Sequence, residues 1–157
     1  MHYSFATIWR IPAPLPPVWE AIFTVDQWPT WWKSLEKAIL LEPSKRSDGV
    51  GALRRLTFKG RLPYRMTFET RVTKVNLFAR MESQVTGECE GTGIWTLALE
   101  KESPQGRLTV VRYDWNVRTT KPWMNLTAPL AWPLFRWNHD EVMRQGGEGL
   151  TRHLTQR

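Results

Sequence analysis

Apolar and polar side chains alternate most regularly over residues 64–72, which read YRMTFETRV. A period of two is typical of a half-buried β-strand, so this segment is predicted to be a strand with its even-numbered residues buried. Residues 53–59 alternate less strictly. Because residues 60–63 (GRLP) are typical of a turn, the two segments are predicted to form a hairpin.

Four further segments show strand-like alternation, and they lie on both sides of this hairpin in the sequence. They are residues 3–11, 77–85, 94–101 and 108–118. Gly87, the pair Gly91 and Gly93, and residues 103–106 (SPQG) separate the later segments. Connections this short join antiparallel neighbours, so the pattern predicts a meander in a sheet of about six or seven strands.

Helical periodicity appears in two regions. After the prolines of residues 12–17, apolar residues recur at helical spacing as far as about Asp26, and residues 28–34 add a second short helical turn. Residues 122–154 are predicted to form one long helix, because an apolar stripe recurs there at steps of three and four. The stripe consists of Ala128, Trp132, Phe135, His139, Val142, Gly146, Leu150 and His153.

Prolines and glycines interrupt this long helix. Pro129 and Pro133 each remove an intrahelical hydrogen bond and should kink the helix or delay its start. Gly146, Gly147 and Gly149 indicate either a close approach of the helix to the sheet or a break in the helix.

Length and composition restrict the class of protein. The 157 residues, 41% of them hydrophobic, are expected to form a single domain over residues 1–157 with a conventional core. A lone cysteine, Cys89, excludes an intramolecular disulfide and a thiolate-rich zinc site, and favours a reducing, cytoplasmic setting. The histidines lack ligand spacing, so we expect no metal and no cofactor. No secretory signal or membrane-spanning run is recognised.

Local motifs add a family resemblance to this order of elements. The first predicted strand ends in IPAP at residues 11–14, and residues 17–23 (PVWEAIF) begin a helix. Residues 26–32 (DQWPTWW) and 49–51 (GVG) follow. Together with the order of strands and helices, these segments resemble the START-related helix-grip superfamily (SRPBCC). That superfamily includes polyketide cyclase/dehydrase-like proteins, plant pathogenesis-related ligand binders and lipid-transfer domains.

The resemblance implies an α+β helix-grip fold. In such a fold a curved antiparallel sheet wraps around a long C-terminal helix, with two short helices after the first strand. It also implies a cavity between the sheet and the helix that takes an apolar or amphipathic small molecule. The motifs specify packing and encode no reaction.

Large side chains on the predicted inner faces are the candidates for the wall of this cavity. Aromatic rings with single polar groups suit a mostly apolar ligand, although for any one of these side chains plain core packing is the more common role. The candidates are Tyr64, Met66, Phe68, Trp95, Tyr113, Trp115, Trp132, Phe135, Asn138 and His139.

Candidates for acid–base chemistry are few. His139 lies on the apolar stripe and precedes Asp140 and Glu141, and Arg54 could meet an anionic group from a strand. Cys89 has acidic neighbours that raise the pKa of a thiol, which excludes it as a nucleophile. The sequence therefore leaves enzymatic activity open.

Three functions are compatible with these observations. The first is binding, transport or sensing of a hydrophobic or aromatic small molecule or lipid, and the second is a polyketide cyclase or aromatase. The third is an RNA-binding or anionic-surface module, because residues 41–80 hold ten basic and three acidic side chains of a chain with net charge +7. The aromatic residues of those strands face away from the basic ones, which disfavours nucleic acid. The segment from Trp123 to Trp137 could also contact a membrane peripherally. Nothing in the sequence selects an oligomeric state.

Overall fold

The order of elements agrees closely with the prediction. The computed structural model describes residues 2–103 and 106–156, with the backbone only at 101–103. Within them lie β1 (His2–Ile11), α1 (Leu15–Phe23), a 3-10 helix (Val25–Thr30), β2 (Leu35–Glu42), β3 (Leu53–Phe58), β4 (Met66–Asn76), β5 (Arg80–Gly87), β6 (Cys89–Ser103), β7 (Gly106–Thr119) and α2 (Pro122–Thr155). The predicted turn at 103–106 includes Pro104 and Gln105, which lie outside the described residues.

All seven strands form one curved antiparallel sheet, in the order β1-β7-β6-β5-β4-β3-β2. Strands β2 to β7 therefore form a meander, and the first strand adds to the last. The sheet and the long C-terminal helix confirm the predicted architecture.

The structure differs from the sequence analysis at several local positions. Residues 35–42 form a strand that the alternation did not indicate, because Ile39 and Leu40 are both exposed on this edge strand. Residues 77–79 belong to a turn, in which Phe78 has a positive φ of 63°, and strand β5 begins only at Arg80. The second short helix lies at Val25–Thr30, a few residues earlier than predicted.

Gly91 and Gly93 do not end a strand but lie within β6. A Cβ atom on Gly91 would overlap the backbone carbonyl oxygen of Asn116 on β7. A Cβ on Gly93 would lie 2.6 Å from the hydroxyl of Tyr113. These glycines therefore permit a close approach between neighbouring strands, which is a known reason for glycine inside a strand.

Six of the ten tryptophans are buried, and several fix elements to one another by their indole N–H groups. Trp28 donates to the carbonyl oxygens of Ala21 and Ile22 at the end of α1, both at 3.1 Å. Trp9 donates to the Met143 carbonyl at 3.0 Å, and Trp32 donates to the Val142 carbonyl at 2.8 Å. The six buried tryptophans are Trp9, Trp19, Trp28, Trp31, Trp32 and Trp95.

The glycines of α2 allow this contact, and the helix continues through them without a break. A Cβ on Gly146 would lie 2.6 Å from the ring of Trp32, and a Cβ on Gly149 would overlap the carbonyl oxygen of Trp31. Of the two interpretations that the sequence left open, close approach is the one observed. Pro129 and Pro133 also lie inside α2. Among the described residues, no helix is apolar enough over a sufficient length to cross a bilayer.

We expect Gly149→Ala to lower the free energy of unfolding by about 2 kcal/mol or more, because the new methyl group meets a backbone atom that cannot move aside. Urea denaturation measures this change. Glu148→Ala, at the preceding and exposed position, should change stability by no more than about 0.5 kcal/mol. If Gly149→Ala stabilised the protein, as helix propensity alone predicts, the packing argument would be wrong.

Candidate ligand-binding cavity

A cavity of about 130 Å³ lies between the inner face of the sheet and α2. Its wall is formed mainly by aromatic rings and methionine side chains, and strands β1, β3, β4, β6 and β7 contribute to it. The lining residues are Tyr3, Phe5, Trp28, Trp32, Leu56, Phe58, Gly60, Tyr64, Met66, Phe68, Cys89, Trp95, Tyr113, Trp115, Val117, Thr119, Met124, Phe135, Asn138, His139, Val142 and Met143.

Nine of the ten candidate residues lie around this single cavity, and Trp132 does not line it. The ring of Trp132 packs 6.2 Å from that of Phe5, and the Arg136 guanidinium lies 5.5 Å from its centre. The nine are Tyr64, Met66, Phe68, Trp95, Tyr113, Trp115, Phe135, Asn138 and His139.

Thirteen lining residues were not among the candidates, and some of them come from the first strand and from α2. Tyr3 and Phe5 lie on the buried face of β1, and Met124 and Met143 lie on α2. The alternation of residues 3–11 already put Tyr3 and Phe5 on one face. The missing information was that β1 pairs with β7, which brings Phe5 opposite Trp115.

The sheet register explains how the aromatic wall forms. Trp95 on β6 is directly opposite Tyr113 on β7, and their rings stack with centroids 4.0 Å apart. The rings of Phe58 and Phe68 stack at 5.7 Å on the neighbouring strands β3 and β4. Cross-strand aromatic pairs of this kind stabilise a sheet and present flat surfaces to the cavity.

Burial keeps the titratable groups of this wall neutral. It raises the pKa of the Tyr113 phenol and, with a contribution from Glu88, raises the pKa of the Cys89 thiol to about 12. Cys89 is therefore a protonated thiol at neutral pH, as the sequence analysis expected. Of the described residues that line the cavity, none is a lysine, arginine, aspartate or glutamate.

The polar side chains Asn138 and His139 of α2 lie in the same cavity wall as the hydroxyl-bearing residues Tyr3 and Tyr64. The Asn138 amide donates to the Tyr64 hydroxyl at 3.4 Å, and its carbonyl oxygen accepts from the Leu62 amide at 3.1 Å. The Tyr3 hydroxyl and His139 Nδ1 are buried and have no hydrogen-bond partner among the described residues. Buried polar atoms nearly always have a hydrogen-bond partner in folded proteins, so these two atoms are available to form hydrogen bonds with a ligand.

His139 is the lining residue whose ordinary pKa is nearest to neutral pH, so a shift of that pKa decides its charge in the cavity. Burial lowers the pKa of its imidazole to about 4, and the nearby Arg136 charge acts in the same direction, while Asp140 opposes the shift. Its Nδ1 is 3.7 Å from the nearest Asp140 oxygen, beyond hydrogen-bonding distance. The imidazole is thus neutral at pH 7.

Arg54 lies away from the cavity. Its guanidinium pairs with Asp26 at 2.9 Å beside the 3-10 helix, and only 14% of its side chain is exposed. The two acid–base candidates of the sequence analysis are therefore not brought together.

The comparisons with known proteins agree with this architecture. The sequence matches the family model described as polyketide cyclase / dehydrase and lipid transport over residues 11–145. The chain belongs to this family. No curated protein sequence matches the chain.

Solved structures of the START superfamily and of aromatase/cyclases share the fold of this family member. A START superfamily protein from Mycobacterium smegmatis superposes with a TM-score of 0.74 at 12% identity, over 99% of each chain. The Zhui aromatase/cyclase from Streptomyces sp. R1128 gives a TM-score of 0.66 at 13% identity, over 97% of this chain and 95% of that one. The di-domain ARO/CYC BexL from the BE-7585A biosynthetic pathway gives a TM-score of 0.69 at 18% identity. The match covers 99% of this chain but only 51% of the BexL chain. The predicted helix-grip fold is confirmed.

The lowered pKa of His139 predicts that acid destabilises the protein. An unfolded histidine has a pKa of about 6.5, so between pH 6.5 and pH 4 the unfolded chain binds a proton that the folded chain excludes. Stability should therefore fall as the pH drops through this range, with a contribution from His139 of about 2 kcal/mol at pH 5.

Urea denaturation at pH 7 and pH 5 measures this contribution. His139→Gln should lose less stability than the wild type on going to pH 5, whereas His2→Gln, at an exposed position, should behave like the wild type. Equal losses in the wild type and His139→Gln would show that the imidazole is not held neutral.

Proposed function

We propose that this protein binds an uncharged, mostly apolar small molecule that carries one hydrogen-bonding group, in the cavity between the sheet and α2. The observation that carries the proposal is the combination of an aromatic wall and two buried polar atoms, the Tyr3 hydroxyl oxygen and His139 Nδ1. In the described part of the chain, neither atom has a hydrogen-bond partner and no Lys, Arg, Asp or Glu lines the wall. The nine lining residues named above from the sequence are proposed as ligand contacts, together with Tyr3 and Phe5.

The volume of the cavity limits the size of the ligand. An engineered protein cavity of about 150 Å³ lined by apolar side chains binds benzene, whereas pockets for larger ligands occupy about 300–1,000 Å³. At about 130 Å³, this cavity fits a single aromatic ring. Met66, Met124 and Met143 are flexible side chains that could move to admit a somewhat longer molecule.

The polarity of the cavity limits the chemistry of the ligand. A carboxylate would lose its hydration and find no cation among the lining side chains, because the imidazole of His139 is neutral. A hydroxyl or carbonyl group can instead bond to the Tyr3 hydroxyl or to His139 Nδ1. Phenol-like molecules combine such a group with the ring that the volume permits.

A polyketide cyclase or aromatase is the second candidate function, and the family description and the two aromatase/cyclase structures favour it. A neutral imidazole in the cavity is a base that such chemistry could use, but its low pKa makes it a weak one. A polyketide chain is also longer than the present cavity. Loss of turnover in His139→Gln with retained phenol binding would favour this candidate.

The basic segment at residues 41–80 gives little support to an RNA-binding function. Its seven arginines each pair with a carboxylate, which reduces the charge available for phosphates. The pairs are Arg46–Asp48, Arg54–Asp26, Arg55–Glu69, Arg61–Glu141, Arg65–Glu36, Arg71–Glu42 and Arg80–Glu82.

Isothermal titration with phenol, toluene and benzoate tests the proposal. We expect phenol to bind more tightly than toluene and benzoate to bind weakest. Tyr3→Phe should weaken phenol binding by about fivefold, the value of one neutral hydrogen bond, and leave toluene binding unchanged. Val142→Phe should fill the cavity and abolish binding of both, while Val75→Phe, at a residue outside the lining, should not. Absence of binding by all three probes would refute the proposal.

A further inference from the structure

The outer side of α2 carries a row of exposed apolar side chains, of which Trp123 also packs against Tyr64 and Phe135 with one edge of its ring. The row consists of Trp123, Leu126, Leu130, Leu134 and Trp137, and we refer to it as the outer stripe. Its members are three or four residues apart, so they lie on one face of the helix over about 21 Å. The exposed fractions reach 84% for Leu126 and 92% for Leu130.

The opposite side of the same helical segment faces the protein interior. Met124 and Phe135 are buried there and line the cavity. This half of α2 is therefore apolar on both sides, and a helix that is apolar all round is normally buried. The inner face of this half of α2 is covered by the protein interior, and its outer face is suited to contact another apolar surface outside the chain.

The charged side chains that residues 121–138 contribute are of one sign, and one of them, Lys121, pairs with Glu88 at 3.1 Å. Residues 121–138 include no aspartate or glutamate, and their two charged side chains are Lys121 and Arg136. The Lys121 ammonium lies 5.9 Å from the centre of the Trp123 ring, at one end of the stripe. Beyond Trp137 the same face becomes polar, where Arg144 pairs with Glu141 and Glu148.

We propose that the outer stripe docks on the surface of an anionic lipid bilayer. Leucines in the middle of a stripe and tryptophans at its two ends suit the boundary between acyl chains and head groups. No described helix can span a bilayer, so the helix would lie along the surface. Although the arginines of residues 41–80 are paired locally, the net charge of +7 still acts at long range, where it attracts an anionic bilayer and repels a second copy of the chain.

This proposal goes beyond ligand binding, because it locates the protein at the surface of a membrane. The helix that covers the cavity would rest against the bilayer. An apolar ligand dissolved in the membrane would then have only this helix to pass on its way to Phe135 and His139.

Flotation with vesicles tests the proposal on the full chain. The protein should float with vesicles of phosphatidylcholine and phosphatidylglycerol, less with phosphatidylcholine alone, and less again when NaCl is raised from about 0.1 M to about 1 M. Leu130→Ser should lower the partition coefficient by about tenfold, since a leucine side chain is no longer transferred from water. Leu77→Ser, at a turn leucine that is 69% exposed, should have no effect.

Other outcomes overturn the proposal. Equal flotation of the wild type and Leu130→Ser, or no flotation with any vesicle, would reject the outer stripe as a membrane surface. A dimer in sedimentation velocity that Leu130→Ser dissociates, without flotation, would assign the stripe to a second copy. Phenol titration of Leu130→Ser should match the wild type, so failure of membrane docking and failure of ligand binding are separable.

Discussion

The indole N–H groups of Trp9 and Trp32 hold the C-terminal half of α2 on the sheet through the carbonyl oxygens of Met143 and Val142. A helical carbonyl can accept a second hydrogen bond only where a donor comes close, and the side-chain-free surface of Gly146 provides that space. The cavity depends on this contact, because it sets how far the rest of α2 stands from the sheet. Three glycines in a helix cost about 1 kcal/mol each relative to alanine, and packing with buried tryptophans offsets that cost.

The two halves of α2 consequently have different tasks. The C-terminal half is fixed by tryptophans and glycines, and the N-terminal half bridges the cavity with Met124 and Phe135 inward and the outer stripe outward. The junction between the halves carries Asn138 and His139, the polar residues that α2 contributes to the cavity. A ligand that forms a hydrogen bond with His139 would therefore contact α2 between the half that is packed against the tryptophans and the half that covers the cavity.

Much of the fold and part of the site could be predicted from the sequence, for identifiable reasons. Strict alternation at residues 64–72 and the helical period of residues 122–154 report burial directly, so those elements and nine of the twenty-two lining residues were found. Strand β2 was missed because an edge strand with exposed Ile39 and Leu40 lacks alternation. The structure also places Trp132 outside the lining. Its step of three from Phe135 is correct for the helix, but its ring turns toward Phe5 and Arg136, and only tertiary packing decides such a rotation.

The pairing of β1 with β7 also has a consequence for the order of folding. Strands β2 to β6 can pair as they leave the ribosome, because each neighbour follows directly in sequence. Strand β1 has to wait, since its partner in the sheet, Gly106–Thr119, is synthesised about a hundred residues later. Until then Tyr3, Phe5 and Trp9 form an apolar segment without a sheet to join. Nascent chains would thus expose strand β1 until β7 has been synthesised, and chaperones protect such segments from aggregation during that period.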